Sequence, residues 1–466
     1  MKSLETKLFV VIFLVGVILR VFALRWHDFW FDEAFTYHIA RLPLPLLIQG
    51  VLSDNNPPLY YILIHFVLKL NSNEITLRLP SLIFNLTTLI LLYVTLRNYS
   101  TQKTALIAAS LFSFSPLALY LATEARLHSL AMLIVMILTT LFLAFKKKPT
   151  TTTLLTFIVV SIVGLYTHYY ILLLFIPLTA LVVFYNIIDF KKWLIILGII
   201  ATPLVPWIAL STQTTHNGCA CPNTLISLPA TLVSTAIAGV GEVTLRSFPQ
   251  LPILTILFFS LTSITMLFFF LRGLTKYGTI VTIFVIPLLV LSFFGLLLPV
   301  FSPKAFSIFS PLYFGIVGAG IAPLRNYRIT SFLLVSALGI VSILQITNPF
   351  FSGTPLKAIY SIIQKDQNIP VAHTSTTTLY SLNYYTQGKQ THMLITPNPL
   401  SSQTVSFIGG QQEKIDPNIL SLWLVDTPKW TQEKDYSLAK KEIFANFALE
   451  KSYTVDKITV SYLRRK

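Results

Sequence analysis

Long apolar runs separated by short polar stretches fill the first 350 residues of the chain. Eleven of these runs approach the ~20 residues that a helix needs to cross a bilayer core. They cover residues 7–25, 80–97, 104–122, 127–145, 152–167, 170–188, 193–210, 251–271, 278–298, 307–323 and 329–347. The pattern predicts an all-α, multi-pass membrane region with about eleven transmembrane helices.

One further apolar segment, Pro57–Leu70, has only 14 residues. As a helix it would rise about 21 Å, which is short of the ~30 Å hydrocarbon core. It lies in the loop 26–79, which follows the first predicted helix and is too long for a simple connector. We therefore expect a juxtamembrane or re-entrant helix within a large first outer loop.

The pattern changes near residue 350. The last 117 residues hold nine of the 18 acidic and 13 of the 34 basic side chains, and their apolar runs are short. Helices are predicted at Lys357–Lys365, Leu379–Thr386 and Asp435–Phe447, and strands at Val371–Thr374, Leu420–Val425 and Tyr453–Leu463. We therefore predict two domains: a transmembrane domain over 1–349 and a soluble α/β domain over 350–466.

Composition agrees with a membrane protein. Hydrophobic residues make up 54% of the 466 positions and charged residues 11%, against about 25% charged residues in soluble chains. This balance excludes a soluble enzyme, a disordered chain and a fibrous repeat. The two cysteines, Cys219 and Cys221, match neither a disulfide framework nor a zinc spacing.

The net charge of +16 is explained by topology rather than by nucleic acid. If the N-terminus is cytoplasmic, 13 of the 21 basic residues before position 349 fall in short inner loops. They are Lys2, Lys7, Arg97, Lys103, Lys146, Lys147, Lys148, Lys191, Lys192, Arg272, Lys276, Arg325 and Arg328. An odd number of spans then makes the C-terminal domain extracytoplasmic. The membrane that holds the protein is predicted to be the plasma or inner membrane of a cell.

The same topology brings seven of the nine acidic residues before 349 to the outer face. They are Asp28, Asp32, Glu33, Asp54, Glu74, Glu124 and Glu242. Five of the seven belong to the loop 26–79. Charges at a membrane surface are costly to keep, so the functional site is predicted to lie at the outer face.

Two motifs of the first loop contain side chains that are suited to catalysis or to ligand binding. Asp32 and Glu33 are adjacent carboxylates among aromatic residues, where burial and a like neighbour raise a carboxyl pKa and favour a general base. The alternative is an interfacial aromatic belt. In the second motif, Asp54 and Asn56 precede Pro57 and a short helix, whose N-terminal end would attract phosphate. The alternative is a plain loop-to-helix turn.

Further candidates lie at the outer ends of later spans. Glu124 and Arg126 stand near His128 at a helix start, where Glu124 could pair with Arg126 or hold a cation with Asp32; the alternative is an interfacial ion pair. Four other candidates are positively charged or can become so, which suits a phosphate ligand: Arg20, Arg78, His168 and Lys304. Individually, each could simply snorkel to lipid headgroups.

These motifs, in this order, resemble the GT-C membrane glycosyltransferases of the dolichyl-phosphate-mannose protein mannosyltransferase and aminoarabinose transferase type, including bacterial members of glycosyltransferase family 39. The resemblance covers about residues 5–350. It rests on Phe31-Asp32-Glu33-Ala34-Phe35, Asn56-Pro57-Pro58-Leu59-Tyr60-Tyr61, Leu77-Arg78-Leu79-Pro80-Ser81, Glu124-Ala125-Arg126 and Thr167-His168-Tyr169. It does not extend to the C-terminal domain.

The resemblance implies transfer of a sugar, with inversion, from a polyprenyl phosphate to an acceptor on the outer face. It implies that Asp32 is the catalytic base and that Glu124 is the second acidic residue of the catalytic site. Aminoarabinose transferases carry a Lys before Pro-Pro, where this chain has Asn56. Arg78, Arg126 and Lys304 therefore become the candidate phosphate contacts.

Three functions remain open from sequence. The first is a hexosyl- or pentosyltransferase whose acceptor hydroxyl belongs to a protein, lipid or glycan of the cell envelope. Its substrate-binding residues would be Glu33, Asp54, Asn56, Arg78, Arg126, His168 and Lys304, with a divalent metal ion as a candidate cofactor. The alternatives are a transporter or flippase of lipid-linked sugars, which the lack of an internal repeat disfavours, and an inactive assembly subunit.

The topology is directly testable. A cysteine introduced at Ser401, in a background without Cys219 and Cys221, should react with a membrane-impermeant thiol reagent added outside intact, outer-barrier-free cells. A cysteine at Lys147 should react only after permeabilisation. Absence of labelling at position 401 in intact cells would overturn the orientation.

Overall fold

A computed structural model of the protein describes residues 2–214, 225, 227–228, 231, 252–347, 353–427 and 433–466. The predictions for Cys219, Cys221 and Glu242 lie outside these residues. The chain forms two compact units. The first comprises residues 1–26 and 75–210 and the described part of 219–351. The second comprises residues 27–74 and 352–466 and the described part of 211–218.

The described helices, in chain order, are α1 (Lys2–Ala23), α2 (Phe31–Ala40), α3 (Leu44–Leu52), α4 (Leu59–Leu68), α5 (Glu74–Tyr99), α6 (Gln102–Ser113), α7 (Pro116–Ala122), α8 (His128–Lys147), α9 (Thr151–Leu165), α10 (Leu172–Tyr185), α11 (Phe190–Ala201), α12 (Leu204–Ser211), α13 (Ile253–Gly273), α14 (Gly278–Phe294), α15 (Pro303–Phe306), α16 (Ser310–Ile321), α17 (Tyr327–Thr347), α18 (Leu356–Ile363), α19 (Thr376–Thr386), α20 (Ser402–Ile408) and α21 (Glu433–Asn446). The strands are β1 (Val371–His373), β2 (His392–Leu394), β3 (Ser421–Asp426), β4 (Phe447–Val455) and β5 (Ile458–Arg465).

Each of the eleven predicted spans falls on helix. Among the described residues, six helical segments are long and apolar enough to cross a membrane, and the bent pairs α6–α7 and α11–α12 raise the number to eight. The remaining predicted spans coincide with shorter apolar helices, namely α9, the segment Tyr169–Tyr185 and α14. The chain is therefore a multi-pass membrane protein, and the count of eleven crossings stays a prediction.

Arg20 lies inside the first unit and does not face outward as the sequence analysis expected. Its guanidinium is fully buried and donates to Asn85 Oδ1 at 2.9 Å and to the carbonyl of Ser113 at 2.9 Å. It also reaches the carbonyl of Phe112 at 3.3 Å. These carbonyls end α6 at a 61° bend before Pro116, where helix carbonyls lack intrahelical partners. Arg20 therefore caps a broken helix.

Helices α13 and α16 pack backbone against backbone. A Cβ added to Gly273 would lie 2.0 Å from the carbonyl oxygen of Ile316, and one added to Gly320 would lie 2.1 Å from that of Phe269. No side chain fits at such distances, so both positions require glycine. Small residues that let helices approach closely are a common basis of packing in membranes.

The second unit contains a five-stranded sheet with strand order β2-β1-β3-β5-β4. Strands β2, β1 and β3 are parallel, whereas β5 is antiparallel to both β3 and β4. The predicted small α/β domain is thus confirmed. The single terminal strand predicted at Tyr453–Leu463 was wrong, because Asp456 adopts a positive φ of 54° and turns the chain into the β4–β5 hairpin.

The loop after α1 forms one compact unit with this α/β domain. Tyr385 donates its hydroxyl proton to Glu74 at 2.8 Å and accepts from the backbone N–H of Phe29 at 2.7 Å. Lys357 Nζ lies 2.8 Å from Glu74, and its backbone N–H donates to Asp28 at 2.8 Å. Both ends of the segment 27–74 are therefore fixed by residues of the C-terminal region.

A fully buried histidine, His373, and a half-buried one, His392, connect strands β1 and β2. His373 Nε2 lies 2.8 Å from His392 Nδ1, and His392 Nε2 lies 2.9 Å from the hydroxyl of Thr386. Burial lowers the pKa of His392 to about 4 and that of His373 well below its usual value. Both side chains therefore fold in the neutral form.

This pair should make the α/β region acid-sensitive. Between about pH 6.5 and pH 4 the unfolded state binds protons that the folded state does not. For each such proton, the free energy of unfolding falls by about 1.4 kcal/mol for every unit by which the pH is lowered. Hydrogen exchange of the peptide 371–394 should therefore quicken relative to intrinsic rates as the pH falls through this window. His392→Gln should flatten that dependence, and an unchanged slope in this variant would contradict the assignment.

Candidate active site

The structure distributes the predicted site residues between the two units. The first unit contains Arg78, Glu124, Arg126, His168 and Lys304, and the second contains Asp32, Glu33, Asp54 and Asn56. Within each unit these residues form local clusters with defined partners.

A buried ion pair is the centre of the cluster in the first unit. Glu124 lies in the turn between α7 and α8, and Lys304 lies in the short helix α15, 180 residues later. Lys304 Nζ is 2.6 Å from Glu124 Oε1, and the side chains are 17% and 1% exposed. A buried carboxylate requires such a partner, because an uncompensated charge in this environment is strongly destabilising. Sequence reasoning had proposed Arg126 or a cation as the partner of Glu124.

Aromatic and imidazole rings surround this pair. The hydroxyl of Tyr120 lies 3.4 Å from Glu124 Oε1, and Lys304 Nζ lies 5.8 Å from the centre of the Tyr120 ring. His128 Nδ1 is 4.0 Å from Glu124 Oε2, and the rings of His128 and His168 are 5.9 Å apart. His168 Nδ1 accepts a hydrogen bond from the backbone N–H of Tyr170 at 3.0 Å. His168 is therefore neutral in this geometry, with its proton on Nε2.

Tyr170 is a functional candidate that the sequence analysis missed. Its hydroxyl donates to the carbonyl of Val300 and accepts from the backbone N–H of Ser302 at 3.0 Å. The Ser302 hydroxyl in turn caps α15 by accepting from the N–H of Ala305 at 3.3 Å. These contacts fix the segment that presents Lys304. Little in the sequence distinguishes this residue, since a tyrosine at the outer end of a span is also typical of an interfacial belt.

Arg78 and Arg126, the two arginines among the candidate site residues, both contact the backbone framework of the first unit. Arg78 is fully buried near the start of α5 and donates to the carbonyl of Leu24 at 2.7 Å. Arg126 accepts at its backbone carbonyl from the hydroxyl of Ser81 at 3.1 Å. Helix α5 is thereby joined both to the end of α1 and to the turn that carries Glu124.

In the second unit, Asp32 and Glu33 occupy the first turn of α2. A carboxylate is favoured there by the positive end of the helix dipole. Asp32 is half-buried, whereas Glu33 is fully buried with its Oε2 3.7 Å from His27 Nδ1. The two neighbours therefore differ in environment: Glu33 lies against a histidine in the interior, and Asp32 retains access to solvent.

Asp54 forms a second acidic cluster in the same unit. Its Oδ2 accepts from the hydroxyl of Tyr61 at 2.6 Å and from the side-chain amide of Asn56 at 3.2 Å. Tyr61 belongs to the first turn of α4, which begins at Leu59 after Pro58. A phosphate at this helix end would therefore lie beside an existing negative charge.

A divalent metal ion is the candidate cofactor predicted from the sequence. Over the described ranges, which omit most of 215–251, no group of three His, Cys, Asp or Glu side chains is placed to hold one. Glu124, for which holding a cation with Asp32 was one of two options, forms an ion pair with Lys304.

One known family matches part of the chain. Residues 55–209 match the family described as dolichyl-phosphate-mannose-protein mannosyltransferase. This range contains Asn56, Arg78, Glu124, Arg126 and His168. It does not include the motif around Asp32, nor Lys304. No curated protein sequence matches the chain.

Comparison with solved structures covers nearly the whole chain. The apo crystal structure of ArnT from Cupriavidus metallidurans is similar with a TM-score of 0.59 at 11% identity, over 98% of this chain and 98% of that chain. The structure of the same protein bound to undecaprenyl phosphate gives a TM-score of 0.60 at 11% identity, over 97% of each chain. Together with the family match, these similarities confirm the resemblance to the GT-C superfamily of membrane glycosyltransferases.

The ion pair makes a testable prediction for stability. Lys304→Met should leave Glu124 buried without its cation and lower the free energy of unfolding by about 3–5 kcal/mol. Adding Glu124→Gln should restore most of that loss, because the buried charge is then gone. Thermal unfolding in detergent micelles measures both effects. Equal stability of the Lys304→Met variant and the wild type would show that the pair is not formed.

Proposed function

We propose that this chain is an inverting membrane glycosyltransferase, which moves a hexosyl or pentosyl group from a polyprenyl-phosphate donor to an acceptor hydroxyl on the outer face of the membrane. The observation that carries the proposal is the buried Glu124–Lys304 pair in a chain with a GT-C fold. The binding of undecaprenyl phosphate by the similar ArnT supports a donor of this class.

The reaction is a displacement at the anomeric carbon. The acceptor oxygen forms a bond to that carbon as the bond from the carbon to the phosphate oxygen breaks, and Asp32 takes the proton of the acceptor hydroxyl. The half-buried position of Asp32 at the start of α2 supports this role, because the carboxylate remains accessible to an incoming hydroxyl. Attack opposite the leaving phosphate inverts the anomeric configuration.

The leaving group requires cations. The donor phosphodiester carries one negative charge and gains a second as the glycosidic bond breaks, so fixed positive groups stabilise the transition state more than the ground state. In this proposal Lys304, Arg78 and Arg126 provide that charge. Glu124 holds the Lys304 ammonium in position through the ion pair, and His168 offers an Nε2 proton as a further donor.

The outer face is proposed on the basis of the charge distribution. The 13 basic residues of the predicted inner loops support a location of the acidic motifs and Lys304 on the opposite side. A lipid-linked donor suits a reaction there, because it brings an activated sugar across the membrane.

The test is transfer of a radiolabelled sugar from a polyprenyl-phosphate donor by the purified chain in micelles. Asp32→Asn preserves the size of the side chain and removes the base, so turnover should fall by roughly 10²–10⁴-fold. Donor affinity, measured separately, should be unchanged. Turnover near the wild-type level in this variant would refute Asp32 as the base and favour a transporter or flippase.

Companion variants separate the roles. Arg126→Ala and Lys304→Ala should each weaken donor binding by about 10- to 100-fold, since each removes a charge-assisted contact. Glu33→Gln should affect turnover less than Asp32→Asn does. Asp366→Asn, at an exposed position of the C-terminal region, is the matched control and should be neutral. Retention of anomeric configuration in the product would refute the single displacement.

A further inference from the structure

The second unit contains a small polar pocket that the proposed chemistry does not use. It has a volume of about 180 Å³ and lies where the ends of α18 and α19 meet. Pockets that enclose drug-sized ligands measure about 300–1,000 Å³. This one has room for a single ring rather than for an extended molecule.

The lining favours a neutral ligand rich in hydroxyl groups. Four of its eight residues are glutamines, and the others are two tyrosines, a threonine and a lysine: Tyr360, Gln364, Gln367, Tyr385, Thr386, Gln387, Lys389 and Gln390. Amide side chains offer both donors and acceptors, as the hydroxyl groups of a sugar require. The lining includes no carboxylate and a single cation, so charge does not dominate recognition.

Aromatic rings form one side of the pocket. Tyr360 and Tyr385 stack with ring centres 5.8 Å apart and an angle of 26° between their planes. Aromatic rings present large apolar surfaces at low conformational cost and carry a polar group at one end. A pyranose ring has apolar C–H faces and a rim of hydroxyl groups, so this combination of tyrosines and amides is complementary to it.

Gln390 provides an independent observation that points to a ligand. The residue is 4% exposed, and its Nε2 donates to the carbonyl of Ile369 at 2.7 Å. Its Oε1 is buried, and no hydrogen-bond partner for it occurs in the part of the chain that the structure describes. Buried acceptors are nearly always satisfied in native proteins, so an unpaired one needs an explanation. A hydroxyl group of a bound molecule would supply the missing donor.

We propose that this pocket binds one neutral pyranose ring, and that the acceptor of the transfer reaction is therefore a glycan; this last step rests on the proposed function. Tyr385 connects the pocket to the predicted base. Its hydroxyl accepts from the N–H of Phe29, three residues before Asp32, and donates to Glu74. The ring of the same tyrosine lines the pocket, so recognition of the acceptor and presentation of the base share one residue.

Saturation-transfer NMR on the full chain in micelles tests the pocket without requiring turnover. The probes are the methyl pyranosides of glucose, galactose and mannose, added without any lipid donor. At least one should receive saturation, with Gln364→Leu and Gln390→Leu each weakening its binding by about fivefold or more, as expected for loss of a hydrogen bond. Gln411→Leu, an exposed glutamine outside the pocket, is the matched control and should leave binding unchanged.

Gln390 also supports backbone carbonyls, so unfolding midpoints of all variants are measured in parallel. Gln364 makes the test independent of any folding defect in Gln390→Leu, because it lies half-buried at the end of α18. Absence of saturation for all three glycosides, or binding that survives Gln364→Leu unchanged, would overturn the proposal. Asp32→Asn should bind the saccharide as the wild type does, since Asp32 does not line the pocket. If the wild-type chain binds the saccharide but transfers no sugar, the proposed function is refuted and the saccharide site is not.

Discussion

Charged groups buried among apolar helices need partners from the chain itself, because the bilayer core supplies no water to satisfy them. Two such groups organise the first unit. Arg20 is fully buried, and its hydrogen bonds go to Asn85 and to carbonyls at the end of α6. Glu124 is almost as buried and is paired with Lys304. The first contact allows a helix to break within the bundle, and the second fixes the centre of the candidate site.

The surroundings of Lys304 show how such a group is kept in place. The hydroxyl of Tyr170 connects Val300 to Ser302, and Ser302 caps the short helix that carries the lysine. A cation held in this way does not have to reorient as charge develops on a leaving group, which is the condition for effective electrostatic stabilisation. Tyr170 therefore acts as a positioning residue, since it fixes Lys304 through the backbone.

The second unit combines elements that are far apart in the chain. Residues 27–74 pack with the α/β region through Tyr385, Lys357 and the buried contact between His38 Nε2 and the carbonyl of Tyr380, at 2.9 Å. The segment that bears Asp32 is thus positioned by a sheet-containing unit rather than left as a free loop. This gives the C-terminal region a structural role in the candidate chemistry, in addition to any role in binding an acceptor.

Features that depend on local pattern could be predicted from the amino-acid sequence. The length of the hydrophobic runs predicted helix at each of the eleven spans. The succession of helix-like and strand-like stretches predicted most elements of the α/β domain. It did not predict the β4–β5 hairpin, because the turn depends on the positive φ of Asp456 rather than on a strong turn motif. The partners of the buried polar groups became known only from the three-dimensional fold. Lys304 lies 180 residues from Glu124, and Tyr385 lies 356 residues from Phe29. No periodicity encodes such pairs, since they arise when the fold brings together groups that cannot remain buried alone.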